Sequence, residues 1–503
     1  MQQFILKSLA VAIIATSMCV PARGERLVLL HTNDTHSQID PLDSGMGGVF
    51  RRKVLVDSVR AAEPNVMLID AGDAVQGTLF FNLYKGETEH KMMNLLGYDL
   101  AILGNHDFDN GVDALSKNIE ADSAIWITTN YDLKGCALDR FFQPYYIKKV
   151  GDKKVGFIGV NLDPKGMIAE GNYEGVKYLD AIKAANATAW HLKHNERVDA
   201  VVAVTHIGYE PIPGPGDVDL ARQSEDIDLI IGGHTHTLIN PADVGSKYPS
   251  KVVNAIGDTV VVAQVGKSGQ YLGESVIDFD RGRIDYRLIP VDSRLDSRVD
   301  TAWGEILKPY RQGVDSLMNV KIGTTPIALN NDEAPLLNLV SDFVKSRGDG
   351  ISDKAVELAI VNKGGIRRSL PKGAVTEGMI MMMLPFNNSV LVMDIKGKDL
   401  KEALDIMGIR GGDGVSREVN ATMGPDGRCT SILIGGKPID PDKTYRLATI
   451  DYLANGGDYM EPLTRGKVIS RSDSVLYDDL IDWFRITNKG KKVKIDATQR
   501  MHY

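Results

Sequence analysis

The sequence predicts an α/β protein whose N-terminal half contains a largely parallel or mixed sheet. Between residues 26 and 265, apolar runs of strand length alternate with amphipathic stretches of helical spacing, such as 49–59 and 181–192. Five of the runs are followed directly by Asp, Asn or His, and α/β proteins place their chemistry at such strand ends. The predicted strands are 27–30, 66–69, 100–103, 155–160, 200–204, 229–231 and 260–262.

Length and composition indicate a soluble, folded protein of more than one domain. The chain has 503 residues, which exceeds one ordinary hydrophobic core, so two domains or three are expected. Hydrophobic residues make up 43% and charged residues 25%, as in globular proteins. The formal net charge of −8 argues against binding to a nucleic-acid polymer or an anionic membrane. Nothing in the sequence indicates the oligomeric state.

The first 24 residues have the layout of a secretory signal peptide. Lys7 precedes an apolar run at 8–20, and the segment PARG follows it. We therefore expect export to the periplasm, the extracellular space or the cell surface. The alternative is an N-terminal anchor helix that stays in place, but the run is short for a membrane span. No later apolar stretch is long enough for an integral membrane span.

Cysteine usage restricts how a metal can be held. Once the signal peptide is removed, only Cys136 and Cys429 remain, and they lie far apart in the sequence. Two such cysteines make neither a disulfide framework nor a thiolate metal site. Any metal must therefore be held by His, Asp and Asn.

Seven side chains that follow the apolar runs form a candidate metal site. Asp34 and His36 are two residues apart, so both leave the same face of an extended segment, and His234 and His236 repeat this spacing. Imidazole, carboxylate and carboxamide ligands without sulfur suit Zn, Mn or Fe. Seven ligands are too many for one tetrahedral ion, whereas two divalent ions that share a carboxylate suit displacement at phosphorus. The candidate ligands are Asp34, His36, Asp73, Asn105, His206, His234 and His236.

Residues after about 320 predict a second domain with groups suited to a nucleotide. The stretch 296–317 indicates a helical connector, followed by a helix at 335–344 and a strand at 356–361. Arg367, on a Gly-rich turn, is suited to bind an anion, and Phe386 and Tyr452 offer flat rings for a nucleobase. Asp458 is suited to accept hydrogen bonds from ribose hydroxyls. The alternatives are a core role for Phe386 and an ordinary turn at Asp458.

Five N-terminal motifs resemble those of the calcineurin-like binuclear metallophosphoesterases. The motifs are NDTHSQ, GDAVQG, GNHDFDNG, THIGYE and GGHTHT, and within this family the chain resembles the secreted 5′-nucleotidases and UDP-sugar hydrolases. The resemblance implies a four-layer α/β/β/α sandwich followed by a second α/β substrate-binding domain. It divides the chain into a signal peptide (1–24), a metallophosphoesterase domain (25–300), a linker helix (301–320) and a nucleotide-binding domain (321–503).

The same resemblance implies a role for each candidate residue of the metal domain. Asp34, His36, Asp73 and His236 would hold one ion, and Asp73, Asn105, His206 and His234 the other, with Asp73 bridging. His106 would be the catalytic histidine that is not a ligand, because an imidazolium stabilises or protonates a leaving alkoxide. Asp109 would be the partner of His106; the alternative is a turn-forming Asp beside Asn110-Gly111.

The C-terminal motifs resemble those of the family's substrate domain, with departures. The resemblance implies Asn362 and Arg367 near the phosphate, Phe386 and Tyr452 around the base, and Asp458 on the ribose. Lys363 stands where relatives usually have a glycine, and Tyr452 where Phe is common. The segment around Asn330 and Asn331 lacks the Arg that relatives usually carry there, so one expected cation is missing.

These observations predict an exported, metal-dependent 5′-nucleotidase that converts nucleoside 5′-monophosphates to nucleoside and phosphate. Two alternatives use most of the same motifs: a 2′,3′-cyclic-nucleotide 2′-phosphodiesterase with 3′-nucleotidase activity, and a UDP-sugar or dinucleotide pyrophosphatase. A third alternative, an inactive nucleotide-binding protein, is disfavoured because a decayed site should lack a ligand or His106, and none is missing.

Overall fold

The structure is a computed structural model that describes residues 25–211, 214–488 and 491–503. The predicted signal peptide, 1–24, lies outside the described residues. Within them, no helix combines the length and the apolar character needed to cross a membrane.

The N-terminal half contains two sheets. The first sheet has a parallel part, which begins with the strand Arg26–Thr32. An antiparallel hairpin, Tyr271–Asp278 with Arg283–Pro290, pairs with that strand and forms one edge of the sheet. Its seven strands are, in order, Arg283–Pro290, Tyr271–Asp278, Arg26–Thr32, Val66–Asp70, Leu100–Ala101, Ile125–Ile127 and Phe142–Gln143. The second sheet is parallel at its centre and antiparallel at both edges. Its six strands are, in order, Lys251–Val253, Thr259–Ala263, Leu229–Ile231, Ala200–His206, Lys153–Asn161 and Tyr145–Val150.

The strands of both sheets carry apolar side chains on both of their faces. One face of each sheet therefore packs against the other sheet. Leu27 and Leu29 of the first sheet share one core with Val202 and Val204 of the second. The intervening residues face outward and are covered by helices, so both faces of each sheet are buried. Helices Val49–Ala62, Glu87–Leu96 and Gly111–Glu120 cover the first sheet, and Ala181–His191 and Asp217–Gln223 the second. This arrangement confirms the predicted four-layer sandwich.

The connector is less regular than predicted. Two 3₁₀ segments, Ser293–Arg298 and Thr301–Ile306, precede a helix at Lys308–Met318. The α-helix is therefore shorter than the predicted linker helix at 301–320. Pro309 lies in its first turn, where proline is tolerated.

The C-terminal half has its own hydrophobic core. Its main sheet contains, in order, Gly414–Val415, Leu358–Val361, Thr444–Ile450, Val390–Lys396 and Lys467–Arg471. A four-stranded sheet contains Lys437–Pro438, Cys429–Ile434, Val419–Met423 and Met501–His502. Its helices are Ala334–Ile351, Glu377–Met383, Gly397–Ile409, Asp451–Ala454, Glu461–Thr464 and Leu476–Asp482. The first of these is longer than the predicted 335–344 because its apolar face continues against the main sheet.

Candidate active site

Six of the seven predicted ligands lie in loops that follow the carboxyl ends of strands from both sheets, and His206 is the last residue of its strand. The strands Arg26–Thr32, Val66–Asp70 and Leu100–Ala101 belong to the first sheet, and Ala200–His206 and Leu229–Ile231 to the second. Five of the ligands adopt left-handed backbone conformations that non-glycine residues rarely accept, and such strain is typical of functional sites. Their φ values are 50° for Asp34, 48° for His36, 57° for Asp73, 76° for His234 and 55° for His236.

The first cluster consists of Asp34, His36 and His236. The Nε2 atoms of the two histidines face each other at 2.9 Å. They lie 3.8 Å and 3.4 Å from the Asp34 Oδ1 atom. Two imidazole nitrogens that converge on one carboxylate oxygen form a ligand set suited to a divalent cation.

The second cluster consists of Asp34, Asp73 and His206, with His234 and Asn105 beside it. His206 Nε2 lies 3.2 Å from Asp73 Oδ2 and 3.9 Å from Asp34 Oδ1, and His234 Nδ1 lies 2.9 Å from Asn105 Oδ1. The Asp34 carboxylate is therefore common to both clusters, and the bridging role implied for Asp73 stays a prediction.

The chemistry of these residues fits a bound cation. His206 Nδ1 donates to the Ala71 carbonyl at 2.7 Å, so Nε2 is the ring nitrogen that faces the cluster, and that buried atom has no hydrogen-bond partner among the described residues. Burial lowers the pKa of His36, and that of His234 to about 4, so both imidazoles are neutral, as a histidine that ligates a metal must be. Burial also lowers the pKa of His206, but Asp73 outweighs it and raises that pKa to about 10. The site thus strongly attracts positive charge.

His106 and Asp109 form the predicted pair beside the clusters. His106 Nδ1 lies 3.0 Å from Asp109 Oδ2. Burial lowers the pKa of His106, but the carboxylates of Asp109 and Asp73 outweigh it and raise that pKa above its usual value. The backbone N–H of His106 donates to Asp73 Oδ1 at 2.8 Å, which joins the pair to the metal ligands.

Asp107 ties two of the ligand loops together. Its Oδ2 atom accepts hydrogen bonds from the backbone N–H groups of Gly104, at 2.7 Å, and Asp73, at 3.2 Å. A residue next to the predicted catalytic histidine therefore has a structural role in the site.

A cavity of about 620 Å³ lies between the two halves of the chain and joins the two clusters of candidate ligands to the predicted substrate residues. Arg367 reaches the first cluster, with Nη2 at 3.5 Å from His36 Nε2. The Phe386 ring stacks on His106, with centroids 5.7 Å apart and an interplanar angle of 28°. Eleven of the fourteen predicted site residues line the cavity: Asp73, Asn105, His106, Asp109, His234, His236, Asn362, Arg367, Phe386, Tyr452 and Asp458.

Asp458 lies in the cavity wall with most of its acceptor capacity in use. Its carboxylate accepts hydrogen bonds from Asn362 Nδ2 at 2.8 Å, Tyr452 Oη at 3.1 Å and Arg410 Nη2 at 2.6 Å. One lone pair of Oδ1 remains for a ligand hydroxyl. Phe386 and Tyr452 line the same cavity, and their joint contact with a base stays a prediction.

The cavity residues that were not predicted from the sequence include Arg410 and Asn172. Arg410 pairs with Asp458 across 48 residues, and Asn172 Nδ2 donates to the Asp109 carbonyl at 3.1 Å across 63 residues. Neither lies in a motif at a strand end, so the sequence carries no signal for them. Where the sequence lacks the expected Arg, Asn330 donates to Glu333 and Asn331 donates to the Ile366 carbonyl.

Comparison with known proteins agrees with this architecture. The sequence profile of the calcineurin-like phosphoesterases matches residues 27–238, and that of the 5′-nucleotidase C-terminal domain matches residues 318–465. The 5′-nucleotidase of Vibrio vulnificus (strain CMCP6) is 30% identical, over 87% of this chain and 86% of that protein. The trifunctional nucleotide phosphoesterase YfkN of Bacillus subtilis (strain 168) is 28% identical over 86% of this chain, which spans 32% of that protein.

A solved structure has the same fold over nearly the whole chain. The 5′-nucleotidase precursor from Thermus thermophilus superposes with a TM-score of 0.83 and 29% identity. The match covers 95% of this chain and 99% of that one. Fold, site and sequence similarity agree: the chain belongs to the 5′-nucleotidase family and is a phosphoric monoester hydrolase with a calcineurin-like phosphoesterase domain.

Proposed function

We propose that this protein is an exported 5′-nucleotidase that uses two divalent metal ions to hydrolyse nucleoside 5′-monophosphates. The observation that carries the proposal is the single cavity, in which metal-ligand side chains and His106 face Arg367, Phe386 and Tyr452. A nucleotide in this cavity would have its phosphate at the metal clusters and its base near the aromatic rings.

The proposed metal ligands follow the family pattern. Asp34, His36, Asp73 and His236 would hold one ion, and Asp73, Asn105, His206 and His234 the other. Zn and Mn are the proposed metals, since the ligands are imidazole and carboxylate groups without sulfur. When bound, such a pair would polarise the phosphoryl group and activate the attacking water.

His106 and Arg367 would act on the phosphoryl group from the protein side. The raised pKa of His106 favours an imidazolium, which would stabilise or protonate the leaving 5′-oxygen. Asp109 would hold the ring and its charge in place through the hydrogen bond to Nδ1. The Arg367 guanidinium, beside His36, would bind a phosphoryl oxygen with fixed geometry.

The C-terminal residues would select the nucleoside. Phe386 and Tyr452 would contact the base, and Asp458 would accept a hydrogen bond from a ribose hydroxyl. Asn362 supports the last role because its amide orients the Asp458 carboxylate. The domain limits proposed from the sequence, 25–300, 301–320 and 321–503, are consistent with separate hydrophobic cores on either side of the connector.

A substrate panel tests the proposal. The purified protein is stripped of metal, reloaded with Zn or Mn, and assayed for phosphate release from AMP, 3′-AMP, 2′,3′-cyclic AMP and a UDP-sugar, with coupled phosphatase where needed. We expect turnover of AMP that requires the added metal. Activity confined to the cyclic and 3′ nucleotides, or to the UDP-sugar, would instead support one of the two alternative enzymes. Nucleotide binding without turnover would support an inactive binding protein.

Export is the second part of the proposal and rests on the composition of residues 1–24. Expression of the full chain with its own N-terminus, followed by fractionation and N-terminal sequencing, tests it. We expect a mature protein that begins near Glu25; an uncleaved N-terminus in the cytoplasmic fraction would contradict the proposal.

A further inference from the structure

The hydroxyl group of Tyr452 lies between the predicted sugar acceptor and the N-terminal half of the chain. Its Oη atom is 3.1 Å from Asp458 Oδ1 and accepts a hydrogen bond from the Asp458 backbone N–H at 3.2 Å. The carbonyl of Met167, in the N-terminal half, is 3.3 Å away. All three residues line the cavity. A phenylalanine at position 452 could make none of these contacts.

A tight turn brings Asp458 back onto this hydroxyl. Gly457 packs against the Tyr452 ring so closely that a β-carbon there would lie 2.5 Å from a ring atom. Gly456 has a φ of 91° and Asp458 a φ of 56°, which is rare for a non-glycine residue. Such a conformation persists only where the surrounding structure enforces it. The turn therefore fixes both the N–H and the carboxylate of Asp458 at one hydroxyl group.

The single proton of this hydroxyl is directed to Asp458. Because Oη already accepts from the Asp458 N–H, its proton must go to the Asp458 carboxylate or to the Met167 carbonyl. The carboxylate is closer and charged, and charge-assisted hydrogen bonds are the stronger ones. Burial, then the Asp458 carboxylate, raises the pKa of Tyr452 well above its ordinary value, so the proton is retained. Tyr452 therefore donates to Oδ1, and Met167 is the alternative acceptor.

The other oxygen of the same carboxylate is fully occupied. Asp458 Oδ2 accepts hydrogen bonds from Asn362 Nδ2 at 2.8 Å and from Arg410 Nη2 at 2.6 Å. Arg410 Nη1 also donates to the Asp458 carbonyl at 3.0 Å, which holds the guanidinium in place. A carboxylate oxygen has two lone pairs, so Oδ2 has none left for a ligand. Oδ1, which accepts from Tyr452, has one.

We propose that Tyr452 is a specificity-determining residue whose hydroxyl restricts the sugar subsite to one hydroxyl group of the substrate. The inference rests on the proposed function, since it takes Asp458 as the acceptor for the ribose. A ribose presents neighbouring hydroxyls at C2′ and C3′, and the carboxylate has room for one of them. The second can bind only if Tyr452 turns its proton to Met167, which exchanges a charge-assisted hydrogen bond for a neutral one. The substrate class is therefore ribonucleotides and monodeoxynucleotides alike.

A set of sugar-modified substrates tests the proposal on the wild-type protein. We compare kcat/KM for AMP, 2′-deoxy-AMP, 3′-deoxy-AMP and 2′,3′-dideoxy-AMP. At least one monodeoxy nucleotide should match AMP within about twofold, and the dideoxy nucleotide should be about tenfold worse, which is the loss of one charge-assisted hydrogen bond. If both monodeoxy nucleotides are about tenfold worse than AMP, two hydroxyls are recognised and the proposal is wrong. A dideoxy nucleotide equal to AMP would overturn it as well.

The Tyr452→Phe variant removes the hydroxyl alone and frees the second lone pair of Asp458 Oδ1. In this variant AMP should become better than both monodeoxy nucleotides by about tenfold, because both sugar hydroxyls can then donate. The matched control is Tyr459→Phe, next to Asp458 in sequence but outside the cavity lining, and it should keep the wild-type pattern. An equal change for all the substrates would overturn the proposal, because loss of the Met167 contact or of ring packing does not depend on sugar hydroxyls.

A double-mutant cycle tests whether Tyr452 acts through Asp458. In an Asp458→Asn background, Tyr452→Phe should no longer change the ratio of AMP to monodeoxy turnover, since the shared acceptor is gone. A change in the ratio that persists there would contradict the assigned role. The comparison of substrates on the wild type does not depend on the folding of any variant.

Nucleoside binding distinguishes failure of this inference from failure of the proposed function. Calorimetry with adenosine, 2′-deoxyadenosine, 3′-deoxyadenosine and 2′,3′-dideoxyadenosine reports on the sugar subsite without phosphate chemistry. If AMP is not hydrolysed but the nucleoside affinities follow the expected pattern and shift in Tyr452→Phe, the proposed function fails and the sugar inference stands. If AMP is hydrolysed but neither turnover nor affinity depends on the hydroxyls in this way, the inference fails and the proposed function stands.

Discussion

Replacing His106 with alanine is expected to lower kcat for AMP by about 10²–10⁴ while metal binding is retained. Metal binding should survive because the bond from this residue to Asp73 comes from the backbone N–H, which alanine keeps. This range is the factor by which a general acid typically accelerates a reaction. The neighbouring Asp109→Asn exchange should lower kcat for AMP by about 10- to 100-fold. It removes the negative charge from the acceptor of a hydrogen bond to an imidazolium, and such a bond contributes about 1.5–3 kcal/mol.

Two measurements separate a leaving-group role from a structural one. The first compares AMP with p-nitrophenyl phosphate, whose phenolate departs without protonation, so that the loss in His106→Ala should be much smaller with the aryl ester. The second is a double-mutant cycle. Because Asp109 acts through His106, Asp109→Asn should have little further effect when His106 is already alanine.

The assay is steady-state phosphate release together with metal content by elemental analysis. Equal losses on AMP and on the aryl ester would refute the leaving-group role of His106. Additive effects of the two substitutions would refute the dependence of Asp109 on His106. A variant that has lost metal would show instead that the ring supports the metal site.

Three further predictions follow from the geometry. Arg410→Gln should raise KM for AMP about tenfold with little change in kcat, because it removes a 2.6 Å hydrogen bond that orients Asp458. Gly104→Ala should lower the metal content and the activity, because a β-carbon there would overlap the Asp73 carboxylate; the metal-to-protein ratio checks this. Leu29→Ala should reduce the free energy of unfolding by about 2–5 kcal/mol in denaturant titration, because Leu29 is fully buried between the two sheets.

Each of these predictions has a matched control or an opposing result. The control for Arg410→Gln is Arg222→Gln, which should leave KM unchanged because Arg222 is exposed and does not line the cavity. A fall in kcat alone for Arg410→Gln would contradict a binding role. Full metal occupancy in Gly104→Ala would show that the loop moves to accept the methyl group. Val244→Ala should not change stability, because Val244 is 98% exposed.

Metal removal gives a test that needs no substitution. Chelation should lower the melting temperature, and added Zn or Mn should restore it, because a ligand that binds only the folded state stabilises it. A melting temperature that does not respond to either treatment would contradict metal binding at the two clusters.

The local pattern of the sequence was sufficient to predict the α/β class, most of the buried strands and the candidate metal ligands. Each buried strand is marked by an apolar run, and a polar residue that directly follows such a run must lie at the end of a sheet. This reasoning gave Asp34, Asp73 and Asn105 as neighbours although 71 positions separate the first from the last. The limits of the elements were less accurate. The strand predicted at 100–103 pairs only at Leu100–Ala101, since ladder partners decide where a strand ends.

The sequence by itself determined the α/β class and the set of candidate ligands, because both depend on periodicity and on residues adjacent in the chain. Only the tertiary structure decided that Asp34 is common to both clusters, that Arg410 supports Asp458, and that Arg367 lies beside His36. These are contacts between segments far apart in the sequence. Loop conformation follows from the packing of two separate sheets and a second domain, and no local pattern of residues encodes it.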